Sequence, residues 1–372
     1  MREQAIQAPR LGALTEQVLH SIQRTFSAHI PLYACAVLFT GATAAIANYY
    51  RIPLTFDATA QFLEMAPLFL GGTVALVAIF ELFRLARSGF PPNPAAMIGN
   101  RIRNLVLTED RPGNVFHAIV ALTPLMIAFA ALKVVIPYIH PFVWDETFMK
   151  WDLVLGGGKL PWERLQPLLG YPAITAALSI LYDLWFAAMF GTLFSVAFAK
   201  RNDARRMQFL LAFSFCWFIA GNVLATVFSS AGPCFYHGVV SGPDPYAAQM
   251  IYLRDVSKHW INWSVAVQEL LWNSYAIHKG PELGISAMPS MHMAIATLLA
   301  CIGWGAGRMW RTISTAFALL IGLGAIHLGW HYASDVFAGA FLAVFFWYTA
   351  GLLSRHALSS PTIAKKPIES VA

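Results

Sequence analysis

The feature that most constrains this sequence is a series of long apolar runs separated by segments that carry the charges. We predict eight membrane-spanning helices, over residues 30–50, 62–83, 115–139, 172–198, 207–228, 289–304, 312–328 and 332–353. A spanning helix needs about 20 mostly apolar residues, and inside a bilayer only helices and closed barrels satisfy every backbone hydrogen bond. Charged residues make up 12% of the chain, against about 25% in soluble domains. The sequence therefore predicts an all-α, polytopic membrane helix bundle.

The distribution of positive charge gives the orientation of these spans. Most of the 25 lysines and arginines fall in segments that are cytoplasmic if both termini lie inside, as the positive-inside rule requires. Residues 1–29 and 354–372 are then cytoplasmic tails. The pattern fits a bacterial inner membrane, and a eukaryotic endomembrane protein would show a similar one. Because the positive charges are spread over short loops, we expect no nucleic-acid partner.

Two polar stretches border the last apolar runs, at Ala287–His292 and at His327–Val336. In the eight-span arrangement both stretches reach the outer surface, which is periplasmic in a bacterial inner membrane. The preceding polar segment, 229–288, is expected to be a long loop on the same side. Ionisable groups at membrane depth are costly and usually functional, so we expect the two stretches to form one site.

The residue types in these stretches suit acid–base and nucleophilic chemistry on a phosphate. His331 and Asp335 are four positions apart and would share a helix face, so the carboxylate would fix one imidazole nitrogen and leave the other free. His292, from another helix, would protonate a leaving oxygen. Ser290, after Pro289 in a first helical turn, would cap that helix or offer its hydroxyl to a phosphate.

Some ionisable residues leave alternatives open. His327, His331 and Asp335 would form one row down a helix, as zinc ligands can. We nevertheless predict no metal and no cofactor, and a structural role for His327. Lys133 and Asp183 lie within predicted spans, where they are either functional or paired with each other for packing.

The two stretches resemble the second and third motifs of the phosphatidic acid phosphatase type 2 superfamily, Pro-Ser-Gly-His and Ser-Arg-x5-His-x3-Asp. The resemblance implies that His331 is the nucleophile that forms a phosphohistidine, that Asp335 orients it and that His292 is the acid for the leaving group. The family's usual residues are replaced here at Met291, Gly324 and Ala325. The first family motif, Lys-x6-Arg-Pro, is not found in the sequence.

The form His331-Tyr332-x-x-Asp335-Val336 is more similar to the branch that contains the sphingomyelin synthases and the inositol phosphorylceramide synthases, which transfer lipid headgroups. The stretch Ser229–Tyr236 resembles a proline-containing segment of that branch, and we assign Tyr236 to substrate binding on this ground. Asp152 and the glycines that follow it resemble an earlier loop of the branch more weakly. The resemblance implies a membrane catalytic domain over residues 140–353, after N-terminal membrane helices at 30–139.

The arginines that bind phosphate in the classical phosphatases are missing, so another cation must stabilise the transferring group. Basic residues on the predicted outer side are the candidates. They are Lys279, Lys258 and Arg254. We favour Lys279 because it is closest in sequence to Ser290.

These features predict a membrane enzyme that transfers or hydrolyses a phosphate ester on lipid substrates. We favour a phospholipid headgroup transferase of the inositolphosphate type. The alternatives are a lipid phosphate phosphatase acting on phosphatidate or a polyprenyl pyrophosphate, and a non-enzymatic transporter or lipid-binding membrane protein. The expected partners are the membrane and a phospholipid or other lipid phosphate, and the sequence gives no oligomeric state.

Overall fold

A computed structural model describes residues 11–51, 110–199, 204–277 and 283–359, with a few further positions between 82 and 108. The described part is helical and contains no strand, which confirms the predicted all-α class. Most of the second predicted span, 62–83, and the predicted phosphate-binding residue Lys279 lie outside the described residues.

We label the longer helices of the described part in chain order. They are α1 (Leu11–Tyr50), α2 (Arg111–Ile139), α3 (Asp145–Leu155), α4 (Pro161–Leu169), α5 (Pro172–Ala197), α6 (Ala204–Phe215), α7 (Ala247–Ser257), α8 (Trp263–Ile277), α9 (Met291–Gly303), α10 (Arg308–His327) and α11 (Ala333–Ser359). A π-helical segment, Cys216–Leu224, and the short turn Ala225–Val227 continue α6.

Six helices of the described part are long and apolar enough to cross a membrane, so the chain is an integral membrane protein. They are α1, α2, α5, α6 with its continuation, α10 and α11. The sixth predicted span, 289–304, corresponds to α9, which is apolar but has only 13 residues. The expected number of eight spans is therefore approximate.

Proline and glycine mark several helix boundaries. Proline occupies the first turn of α2, α4 and α5, where its missing N–H costs no helical hydrogen bond. Gly307 takes a φ of 108° immediately before α10, a conformation that side chains disfavour. By contrast, Pro31 lies inside α1, and that helix runs without a break through the predicted boundary between residues 29 and 30.

The segment 229–288 is largely helical where it is described, so the prediction of a long loop is wrong. It contains α7, α8 and the short turns Pro233–Phe235 and Tyr236–Val239. In α7 the side chains of Met250 and Leu253 are buried while Arg254 is exposed. Such amphipathic helices fall below the hydropathy of a span, because only one face is apolar.

Helix α9 lies between α5, α10 and α11 and buries its side chains among them. Ala294, Ile295 and Leu298 are fully buried in the main apolar core. Gly339 of α11 packs on the start of α9, where an added Cβ would lie 2.4 Å from the carbonyl oxygen of Ser290. Small residues allow helices to approach this closely in a bilayer, and the approach sets the two predicted motifs side by side.

Candidate active site

Three predicted catalytic residues from separate segments meet at one end of the bundle. His292 belongs to α9, His331 to the link between α10 and α11, and Asp335 to the first turn of α11. His331 Nδ1 lies 3.5 Å from Asp335 Oδ2, and the ring centroids of His292 and His331 are 6.2 Å apart. Asp335 is fully buried and His331 is 7% exposed.

The local structure around His331 differs from the single helix that the sequence suggested. Helix α10 ends at His327, Gly329 takes a φ of 73°, and α11 begins at Ala333. His331 therefore precedes the helix, and the Asp335 carboxylate instead accepts the backbone N–H of Tyr332 at 3.0 Å. At 3.5 Å the His331–Asp335 contact is longer than a hydrogen bond, and His331 Nδ1 has no hydrogen-bond partner among the described residues.

His327 is separated from the pair by this change of direction. Its Nε2 atom lies 2.9 Å from the hydroxyl of Thr175, and its carbonyl accepts a hydrogen bond from Gln249. In the described ranges no cluster of three potential metal ligands occurs. The row of His327, His331 and Asp335 down one helix is thus wrong, because α10 ends at the first of them.

Two buried aspartates of α3 hold the segments around His331 in place. Asp152 accepts the backbone N–H groups of Ala333 at 2.7 Å and of Ser334 at 3.0 Å, so it caps α11 from another helix. Asp145 accepts the N–H groups of Ala231 and Gly232 and the hydroxyl of Tyr332, all at 2.8–3.0 Å.

Asp145 is not among the residues predicted from the sequence, and Asp152 was linked to the site only by a weak resemblance. One signal was present: the two are seven positions apart, which places them on the same face of a helix. Burial raises the pKa of both carboxyl groups, and the hydrogen bonds donated to them act in the opposite direction. Because these hydrogen bonds are all donated to the carboxylates, both side chains serve as acceptors.

His331 is kept neutral by its surroundings. Burial lowers its pKa to about 3; the carbonyl of Ala287 opposes this shift, and the ammonium group of Lys133 adds to it. A neutral imidazole is the form that a nucleophile requires. His331 is therefore uncharged at neutral pH, the form in which an imidazole can act as a nucleophile.

His292 is fixed by two aromatic side chains of α5. Its ring stacks on Tyr182, with centroids 4.2 Å apart and planes 19° apart, and lies 4.4 Å from the ring of Trp185. The indole N–H of Trp185 also donates to the His292 carbonyl at 2.9 Å. These contacts hold the imidazole beside His331.

Ser290 joins the two motifs. It is the N-cap of α9, and its hydroxyl accepts the N–H of Met293 at 3.3 Å, as the sequence suggested. Its own N–H donates to the carbonyl of Asp335 at 3.1 Å. The helix begins at Met291, so Pro289 precedes the cap and does not occupy the first turn.

The other predicted binding residues that the structure describes differ in their surroundings. Tyr236 is buried in an aromatic cluster, where its ring is 5.5 Å from Tyr246, which in turn is 5.8 Å from Tyr332. Lys258 is exposed and pairs with Asp255 at 3.1 Å. Arg254 is exposed as well.

The proposed packing pair of Lys133 and Asp183 does not form. Lys133 Nζ lies 3.5 Å from the carbonyl oxygen of Ser286. No ion pair joins Lys133 to Asp183, both of which the structure describes. Asp183 Oδ2 is buried without a hydrogen-bond partner in the described part.

The comparison with protein families agrees with this geometry. A family model described as the PAP2 superfamily matches residues 146–349, more than half of the chain. No curated protein and no solved structure matches the chain significantly. Members of this superfamily are typically phosphatases and phosphotransferases, and the matched range contains both histidine motifs. The chain thus belongs to the PAP2 superfamily, the phosphatidic acid phosphatase type 2 group that its two motifs resemble.

Proposed function

We propose that this protein is a phospholipid headgroup transferase that works through a phosphohistidine on His331. The observation that carries the proposal is the meeting of His331, Asp335 and His292 in a buried setting. Asp335 Oδ2 faces His331 Nδ1 at 3.5 Å, which leaves Nε2 as the nucleophilic atom. Catalytic hydrogen bonds commonly shorten only when substrate binds, and we expect this contact to do so.

The first step breaks the phosphate ester of the donor lipid. His331 Nε2 attacks phosphorus, a P–N bond forms, and the bond from phosphorus to the leaving oxygen breaks. His292, whose protonated form is favoured by the phosphate anion bound beside it, gives its proton to that oxygen, so the donor backbone leaves as an alcohol. The ring separation of 6.2 Å is of the size that lets one phosphate group contact both imidazoles.

The second step returns the enzyme to its starting state. The hydroxyl of an acceptor gives its proton to His292 while its oxygen attacks the phosphohistidine, and the P–N bond breaks. Transfer results when the acceptor is an alcohol, and hydrolysis when it is water. The burial of His331 and the aromatic packing around His292 favour an alcohol, because they limit access of water.

Charge at the opposite end of the bundle supports a periplasmic site. Arg205 and Arg308 lie in the first turns of α6 and α10, remote from His331, and Arg24 of α1 pairs with Asp110, which directly precedes α2. Cytoplasmic ends of spans are enriched in such residues. The histidines then face the non-cytoplasmic leaflet, where they meet lipid headgroups.

The test uses purified protein in mixed lipid micelles with a phospholipid labelled on its headgroup phosphate and a panel of candidate alcohols. We expect label in a new lipid with the wild type and none with His331→Ala. His259→Ala, at an exposed position, is the matched control and retains transfer. Release of the label as free phosphate would identify a phosphatase instead. Equal turnover in wild type and His331→Ala, or no turnover in either across a broad lipid panel, would contradict the proposal.

A further inference from the structure

Lys133 of α2 lies beside the segment that leads into α9. Its Nζ atom is 3.5 Å from the carbonyl oxygen of Ser286, four positions before Ser290. The chain is pressed against it, since a Cβ added to Gly284 would lie 2.4 Å from the Lys133 carbonyl oxygen. Lys133 precedes the matched family range, 146–349, so α2 brings it to the site from outside that range.

The charge of Lys133 acts on both histidines of the site. Its ammonium group interacts electrostatically with His292 and with His331. These are the two side chains that bracket the phosphate in the proposed reaction. A cation in this place attracts the same group that the histidines act on.

The ammonium group of Lys133 has unused bonding capacity. It carries three N–H donors, and its one hydrogen bond, to Ser286, is at the long limit of such bonds. No carboxylate of the described residues lies within 4.0 Å of it. The hydroxyl of Ser286 is also buried and without a partner in this part of the chain.

A cation in an apolar setting is costly unless an anion compensates it. Two other described lysines on the site side of the bundle form exposed ion pairs. Lys150 pairs with Glu146 at 2.7 Å, and Lys258 pairs with Asp255. Lys133 is enclosed and has no such partner. An anionic ligand bound beside Lys133 would supply the counter-charge and favour its ammonium form.

We propose that Lys133 is the phosphate-binding cation of this site and supplies the charge that arginines provide in the classical phosphatases. This inference rests on the proposed function, because it identifies the ligand as the phosphodiester of the lipid substrate. Its ammonium group donates to a non-bridging oxygen and stabilises the negative charge of the transferring group. Lys279, favoured from the sequence, is then not required for this role.

The test compares Lys133→Met with Lys133→Arg, which keeps the charge. Lys150→Met is the control, because Lys150 is exposed and ion-paired. We expect Lys133→Met to lower kcat/KM at least about 100-fold, of the order seen when one charge-stabilising donor is removed. We expect Lys133→Arg to recover part of the loss and Lys150→Met to match the wild type. The melting temperature of Lys133→Met is expected to equal or exceed that of the wild type, because an uncompensated cation has been removed.

A binding measurement separates failure of this inference from failure of the proposed function. The melting temperature is followed with rising inorganic phosphate and, separately, with a short-chain phosphodiester lipid. We expect a rise in the wild type and in His331→Ala, and none in Lys133→Met; a response to the lipid alone identifies the lipid as the ligand. Equal shifts in wild type and Lys133→Met, or wild-type turnover in Lys133→Met, would overturn the inference. If turnover does not depend on His331 but the rise in melting temperature still depends on Lys133, the proposed reaction fails and the inference about Lys133 stands.

Discussion

The hydroxyl of Tyr332 donates a hydrogen bond to Asp145 Oδ1 at 2.8 Å, between residues 187 positions apart. The same carboxylate accepts the backbone N–H groups of Ala231 and Gly232. The neighbouring Ser230 in turn accepts the N–H of Ala287 at 2.8 Å. One buried side chain therefore holds both histidine motifs against a common support, although it takes no part in the proposed chemistry.

Replacement of Asp145 is expected to destabilise the protein strongly. Asp145→Ala leaves two buried amides and one phenol without an acceptor, at about 1–3 kcal/mol each, so the free energy of unfolding falls by about 3 kcal/mol or more. Tyr332→Phe removes only one of these bonds and costs about 1 kcal/mol. Denaturation in detergent measures both. Tyr348→Phe, at an exposed position of α11, is the control, and a loss there equal to that of Tyr332→Phe would contradict the assignment.

Asp152 is expected to act on turnover through α11. Asp152→Ala removes the cap from Ala333 and Ser334, which costs about 0.5–2 kcal/mol and loosens the turn that carries Asp335. We expect a lower melting temperature together with a roughly 10-fold loss of kcat, since misplaced catalytic groups lose rate steeply. Asp255→Ala, in an exposed ion pair, should change neither quantity. Wild-type kcat in Asp152→Ala would show that other contacts position Asp335.

The spans were predictable because an apolar run of 20 or more residues has few alternatives to a helix in a membrane. Helix α2 was expected over 115–139 and is found at Arg111–Ile139, and α5 was expected over 172–198 and is found at Pro172–Ala197. Helices α7 and α8 escaped prediction because each has a polar face and reads as a loop by hydropathy.

The nearness of His331 and Asp335 could be read from their spacing, since a separation of four residues keeps side chains within reach on or beside a helix. The support from Asp145 could not be predicted, because it accepts backbone N–H groups of a loop distant in the sequence. Every residue except proline has such an N–H group, so the residue types give no sign of the contact. The phosphate-binding cation could be chosen from the sequence only by its distance along the chain. This distance favoured Lys279, which lies outside the described residues, whereas the contact of Lys133 with Ser286 suggests a cation from α2.

His327 is expected to support the fold and not the reaction. Its Nε2 atom bonds with the Thr175 hydroxyl at 2.9 Å, away from the His331–Asp335 pair. His327→Gln should lower the free energy of unfolding by about 1 kcal/mol and leave kcat within about threefold of the wild type. The assay is lipid turnover with and without a chelator. Loss of all turnover in this variant, with recovery on adding zinc, would instead support a zinc site formed by His327, His331 and Asp335.

The low pKa of His331 predicts a stability loss in acid. It is about 3 in the folded protein, against 6.5 for an unperturbed histidine. Between these values the unfolded chain binds the proton and the folded protein does not, so the free energy of unfolding falls as the pH drops through this window. His331→Asn lacks this contribution. Between pH 7.5 and 5 its melting temperature should therefore fall less than that of the wild type. His259→Asn, at an exposed position, should follow the wild type, and identical pH dependence in all three proteins would argue against a buried neutral His331.

Gly284 is expected to tolerate no side chain. In Gly284→Ala the new Cβ would lie 2.4 Å from the Lys133 carbonyl oxygen, a backbone atom of a packed helix, so the segment must move at a cost of about 1–3 kcal/mol. The movement carries Ser286 away from Lys133 and disturbs the approach to His292, so kcat/KM should fall together with the melting temperature. Gly191→Ala is the opposite case, because nothing lies within 4 Å of an added Cβ there and alanine favours a helix by up to about 1 kcal/mol. A stability gain at both glycines would show that the chain around Gly284 is free to relax away from α2.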